Sequence, residues 1–164
     1  MSNKTLQPLS LRVNGQTREV LVHPRSSLLT VLREQLGLPA AKRGCEEGEC
    51  GSCAVLLDGK LVQSCLVLAL EAENMDVTTA ESLGEPHHLS PVQQAFAETG
   101  ASQCGFCIPG MLVATEALLK RNPSPTESQV RRALSGNLCR CTGYDRIIKG
   151  VMRAAELRQG GSKK

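Results

Sequence analysis

Two kinds of hydrophobic spacing divide the chain near its middle. In the first half Leu9, Leu11 and Val13 alternate with polar residues, Asn14-Gly15 supplies a type I′ turn, and Val20 and Val22 resume the alternation. That pattern predicts a β-hairpin with one buried face. Ser26 or Ser27 then caps a helix whose Leu28, Leu29, Leu32 and Leu36 share one face, with Gly37 as its stop. After a glycine-rich stretch from Gly44 to Cys53, Ala54–Leu57, the turn Asp58-Gly59 and residues 60–62 read as a second hairpin. Residues 75–79 read as a closing strand. Hairpin, helix, hairpin and strand make a small α+β domain, of which the β-grasp is one form.

The second half reads as helix throughout. Ser90-Pro91-Val92-Gln93 combines an N-cap, a proline at the first helical position and a capping-box glutamine, and the helix it opens runs to Thr99, stopped by Gly100. Pro109 opens another, with Met111, Leu112, Thr115, Leu118 and Leu119 on one face, until Asn122-Pro123 breaks it. Thr126 and Gln129 form a second capping box, and Gly136 ends that helix. Tyr144, Ile147, Ile148, Val151 and Ala155 define a fourth helix ending near Gly160. The expected organisation is therefore a mixed domain over residues 1–82, a linker over 83–89 and a helical domain over 90–164 with a short C-terminal tail. There is no internal repeat.

Composition narrows the chemistry. A chain of 164 residues with 41% hydrophobic content has material for a packed core. One Tyr, two Phe and no Trp leave little for stacking bases, and the net charge of +3 is mild, with no basic block except Lys163-Lys164. The N-terminal residues hold no apolar run suited to a signal peptide. The longest apolar run, from Cys65 to Leu70, is core-sized and far short of the ~20 residues a membrane span needs. The expectation is a cytoplasmic protein with reduced thiols.

Eight cysteines then need explaining, and they fall four and four into the two halves. Disulfides suit short secreted chains, and this one is neither short nor evidently secreted. Cys45, Cys50, Cys53 and Cys65 have the C-x4-C-x2-C spacing of plant-type ferredoxins, with a fourth ligand arriving later. Three thiolates from one tight loop must wrap inorganic sulfide closely, and Gly44, Gly48, Gly51 and Ser52 are the small residues that permit it. Structural zinc prefers paired C-x2-C knuckles and fits this loop poorly. Cys104-x2-Cys107 and Cys139-x-Cys141 lie in two turns that can meet at one end of a helical bundle. Spacing alone leaves zinc open for that second set. His87-His88 in the linker reads as exposed, and Glu46, Glu47 and Glu49 read equally well as a solvated loop face or a partner contact.

The segments Gln103-Cys-Gly-Phe-Cys-Ile-Pro-Gly110, Gly136-Asn-Leu-Cys-Arg-Cys-Thr-Gly-Tyr144 and Cys45-Glu-Glu-Gly-Glu-Cys-Gly-Ser-Cys53 together resemble the iron–sulfur subunits of the xanthine oxidase family of molybdenum hydroxylases, over about residues 9 to 157. The resemblance implies a β-grasp ferredoxin-like domain followed by a four-helix domain, each with a [2Fe–2S] cluster held by Cys45, Cys50, Cys53 and Cys65 and by Cys104, Cys107, Cys139 and Cys141. It implies a partner large subunit bearing molybdopterin and, usually, a medium subunit bearing FAD. It also implies that Gln103 and Cys141 contact the pterin across the subunit boundary; a solvated or helix-capping amide is the alternative for Gln103. Electrons would pass from molybdenum through the helical-domain cluster, then the ferredoxin-type cluster, to flavin or another acceptor.

No dinucleotide fingerprint, P-loop or H-E-x-x-H occurs, so substrate chemistry is expected on another chain. A purine, another N-heterocycle or an aldehyde is the substrate class expected, with the first two preferred. A free diffusible ferredoxin and a zinc-stabilised interaction module are the competing functions.

Overall fold

In a computed structural model of the chain, residues 6–85 and 87–161 are described. The stretch before Leu6, Pro86 of the expected linker and the tail with Lys163-Lys164 lie outside them.

The predicted hairpins form where the turn residues allow positive φ. Strand β1 (Gln7–Val13) pairs antiparallel with β2 (Gln16–Val22) across Asn14 and Gly15, at φ 52° and 76°. Strands β3 (Ala54–Leu57) and β4 (Lys60–Gln63) pair in the same way across Asp58 and Gly59, at 46° and 75°. The closing strand β5 (Asp76–Thr78) runs parallel to β1 and antiparallel to β3, giving one sheet in the order β2-β1-β5-β3-β4.

Ser27 caps the helix that follows the first hairpin, its hydroxyl accepting from the Thr30 N–H. That helix is not one regular element. A single α-helical turn, α1 (Leu28–Thr30), continues as a π-helical stretch, Val31–Gln35. Val31, left off the expected face, is buried with Leu28, Leu29 and Leu32, whereas Leu36 is only partly buried. The core thus takes a broader arc of this segment than one α-helical stripe.

Four helices follow residue 90: α2 (Pro91–Glu98), α3 (Ile108–Arg121), α4 (Glu127–Ala133) and α5 (Asp145–Gly161). Both expected capping boxes are formed, Ser90 with Gln93 and Thr126 with Gln129. Each pairs two backbone N–H groups that a helix start leaves open. Helix α5 begins one residue after Tyr144, which sits at φ 68° in the preceding turn and not on the helix face expected for it. No helix among the described residues is long and apolar enough to cross a membrane.

Strand β3 joins the two halves. Val55 and Leu57 face the core built with Leu9, Leu11, Leu29 and Leu32, while Leu56 faces the other way and packs with Val113 and Ala117 of α3 and with Ala80. A short continuous apolar run is what a strand covered on both faces requires. Helix α3 is buried around most of its circumference, because its remaining sides carry Met111, Ala114, Leu118 and Leu119 into the helical core.

The expected linker is not a free tether. Leu83 packs against both the helical core and the β3–α3 cluster, and the Glu85 and His88 backbones exchange two hydrogen bonds of 2.9 and 3.0 Å. The apolar run from Cys65 to Leu70 turns at Cys65, buries Ala69, and leaves Leu66 and Leu68 62% and 43% exposed.

Candidate iron–sulfur sites

The first cysteine loop is shaped by backbone conformations that few residues adopt. Glu46, Gly48 and Gly51 have φ of 58°, 82° and 69°, and a side chain at Gly44 would lie 2.7 Å from Cys50 Sγ. The curl points N–H groups inward: Glu47 and Cys50 each donate to Cys45 Sγ at 3.4 Å. These donors hold the Cys45 thiol at about 6, well below its ordinary value. Donors of this kind stabilise thiolate charge and raise the potential of a bound cluster. Cys65 comes back beside the loop just after β4, where burial and contact with Cys53 push its thiol up to about 11.

Sequence reasoning missed two tethers that hold the approach to this loop and a third that ties the first turn to the segment carrying Glu81. Arg33 Nη1 donates to the carbonyls of Pro39 (3.0 Å) and Ala41 (2.8 Å). Glu81 Oε1 accepts from the Ala40 N–H at 2.7 Å. Asn14, beyond serving its turn, pairs its carboxamide with the N–H and hydroxyl of the buried Thr79, both at 2.9 Å. The Arg33 contacts span six and eight positions, the Glu81 and Asn14 contacts 41 and 65, and none has a local signature in the chain.

The second set assembles from two turns, as expected. Cys104 is exposed after α2; Cys107 is buried and immediately precedes α3, whose positive N-terminal dipole favours an anionic group there. Cys139 and Cys141 occupy the turn between α4 and α5. Cys141 Sγ lies 3.5 Å from Cys104 Sγ. Cys107, beside Cys139, is pushed up to about 12, chiefly by burial. Burial pushes Cys139 upward too, but the Thr142 hydroxyl (3.1 Å) and N–H (3.5 Å) outweigh it and hold this thiol low. Tyr144 closes the turn: its Oη accepts from the Cys139 N–H at 2.8 Å and donates to the Asn137 carbonyl at 3.4 Å.

In the first set Cys45 Sγ accepts from the Cys50 N–H and Cys65 lies beside Cys53; in the second Cys104 meets Cys141 and Cys107 lies beside Cys139. Four thiols in each half are the donor set that two irons bridged by sulfides take, so the residues present fit a [2Fe–2S] cluster in each. Gln103 is exposed next to Cys104 and makes no side-chain hydrogen bond among the described residues, so it is not a helix cap. His87 and His88 are exposed, as are Glu46, Glu47 and Glu49.

Comparison with known proteins matches this division. Residues 11–82 match the family model described as "2Fe-2S iron-sulfur cluster binding domain", and residues 79–152 match "[2Fe-2S] binding domain". The chain is 45% identical to the nicotinate dehydrogenase small FeS subunit of Eubacterium barkeri, over 90% of this chain and 94% of that one. It is 44% identical to the xanthine dehydrogenase iron-sulfur-binding subunit of Escherichia coli O157:H7, over 93% and 96%. Among solved structures, quinoline 2-oxidoreductase from Pseudomonas putida 86 superposes with a TM-score of 0.91 at 43% identity, covering 96% of this chain and 98% of the matched chain. With relatives this close along nearly its whole length, the chain belongs to the small iron–sulfur, electron-transfer subunits of the xanthine oxidase family of molybdenum hydroxylases.

Proposed function

We propose that each neighbouring pair of thiols holds one iron, so that Cys45, Cys50, Cys53 and Cys65 bind one [2Fe–2S] cluster and Cys104, Cys107, Cys139 and Cys141 the other. The carrying observation is that the eight thiols lie as neighbours two by two, four in each half, with the Leu138 N–H bonded to the Cys50 carbonyl between the two sets. The clusters would supply reversible one-electron acceptance. The protein's own part is to supply thiolates, aim N–H groups at them and keep the two loops in register. In this reading residues 1–82 form a β-grasp ferredoxin-like domain, 83–89 a packed connector and 90–164 a four-helix [2Fe–2S]-binding domain.

The second set faces outward more than the first, which supports its place beside a molybdopterin-bearing large subunit. Cys104 and Cys141 are exposed, and the neighbouring Phe106 and Leu138 expose apolar surface (46% and 54%) of the kind an interface covers. Gln103 and Cys141 then reach the pterin, Gln103 with a carboxamide that has no other partner among the described residues. The ferredoxin-type cluster passes electrons on to FAD in a medium subunit or to another acceptor. Eight unbridged thiols suit a reducing, cytoplasmic setting. The relatives named for nicotinate, xanthine and quinoline favour a purine or other N-heterocycle as the holoenzyme's substrate class.

The test is composition and spectroscopy of the anaerobically purified chain. About four irons and four acid-labile sulfides, with two distinguishable reduced-state EPR signals, are expected for two such clusters. Stoichiometric zinc, or a single cluster type, would overturn the reading.

A further inference from the structure

The two cysteine loops touch at one place. Leu138 has an exposed side chain in an irregular turn, yet its N–H donates to the Cys50 carbonyl at 2.9 Å. Leu138 directly precedes Cys139. One hydrogen bond and a short run of covalent bonds therefore connect a thiol of the first set with a thiol of the second. Electronic coupling falls off more slowly along such a bonded route than across a gap.

The neighbouring carbonyl is held as well. Asn137, 3% exposed, donates from Nδ2 to the Gly51 carbonyl at 3.0 Å. Its own N–H donates to the Leu134 carbonyl at 2.9 Å, and its carbonyl accepts from Tyr144. Consecutive carbonyls of Cys50 and Gly51 are thus gripped by consecutive residues of the other loop. A single bond would act as a hinge, whereas two fix orientation. The seat is tight enough to require glycine on both sides: a Cβ on Gly51 would lie 2.2 Å from the Gly136 carbonyl oxygen, and one on Gly110 would lie 2.4 Å from the Gly51 carbonyl oxygen. Leaving a buried amide unpaired is costly, so this one is held in a single orientation.

We propose that Asn137 is a positioning residue for electron exchange between the clusters, its carboxamide holding the Cys50–Gly51 segment so that the Cys50 carbonyl stays on the Leu138 N–H. The proposal rests on the assignment of Cys50 and Cys139 to different clusters. Asn137→Ala removes the donor, and Asn137→Asp keeps the size while facing the Gly51 carbonyl with an oxygen. In both variants iron, sulfide and each cluster's own g-values should be retained. The magnetic splitting between clusters in the fully reduced chain should shrink or vanish, and intercluster electron exchange after rapid one-electron reduction should slow several-fold. Gly136→Ala, whose Cβ would meet nothing within 4 Å, should change neither.

Unchanged splitting and exchange in both Asn137 variants at full iron content would overturn the proposal and leave the two-cluster reading standing. Fewer than two cluster signals in the unaltered chain would overturn both. Should neither variant retain iron, hydrogen exchange in the unaltered holoprotein decides. The Leu138 amide is expected to be protected, and exchange at the rate of an open loop would overturn the proposal.

Discussion

Exchanging sulfur for oxygen at one cysteine preserves size and removes a soft ligand. Cys50→Ser and Cys107→Ser each take a thiol from one set only, so each is expected to weaken one EPR component and spare the other. Loss of both signals with the fold intact would mean that the eight thiols partition differently. Gln103, proposed as a pterin contact, makes no side-chain hydrogen bond to either thiol set. Gln103→Ala should keep iron content and both EPR signals while turnover of the reconstituted complex falls. One lost hydrogen bond to a buried polar cofactor costs about 1–3 kcal/mol, which is roughly one or two powers of ten in rate. Steady-state turnover beside molybdenum occupancy checks this, and normal values for both would make Gln103 an ordinary surface amide.

Among the elements, β3 carries the most varied load. Its four residues are all buried, two facing the first core and Leu56 facing α3. Leu56→Ala is expected to cost about 2–5 kcal/mol, the range for an emptied leucine site. Because that site belongs to both halves, thermal unfolding should shift as one transition. A variant that melts in two steps, the helical half separating first, would show the β3–α3 contact to be less central than its burial indicates. The capping boxes were legible because their donors and acceptors lie within one turn of each other in the chain. Tyr144 was not. Its apolar ring continues the spacing of Ile147 and Ile148, but its hydroxyl is used by the Cys139 N–H and the Asn137 carbonyl, which keeps it in the turn.

At the scale of the whole molecule the two thiol sets differ in access. Cys53 and Cys107 are buried against the two cores, while Cys104 and Cys141 reach the surface beside exposed Phe106 and Leu138. One end of the chain's electron route therefore opens outward. The loops between the sets are in direct contact, so the route does not depend on a flexible connector; the segment expected to be a linker is packed at Leu83 and against Ser90 and Gln93 at Gly84.

The local chemistry was written in the chain itself. Alternation, turn dipeptides, caps and cysteine spacing involve residues close in sequence, whose geometry the backbone dictates once the element forms. They sufficed for both hairpins, for the existence of the later helices and for the division of the cysteines into two sets. What required the folded molecule was every relation between distant segments. Glu81 bracing the approach to the first loop, Cys104 meeting Cys141, β3 buried on both faces, and Asn137 gripping Gly51 across 86 positions are examples. Such contacts depend on how elements dock, and no spacing within a single segment encodes them.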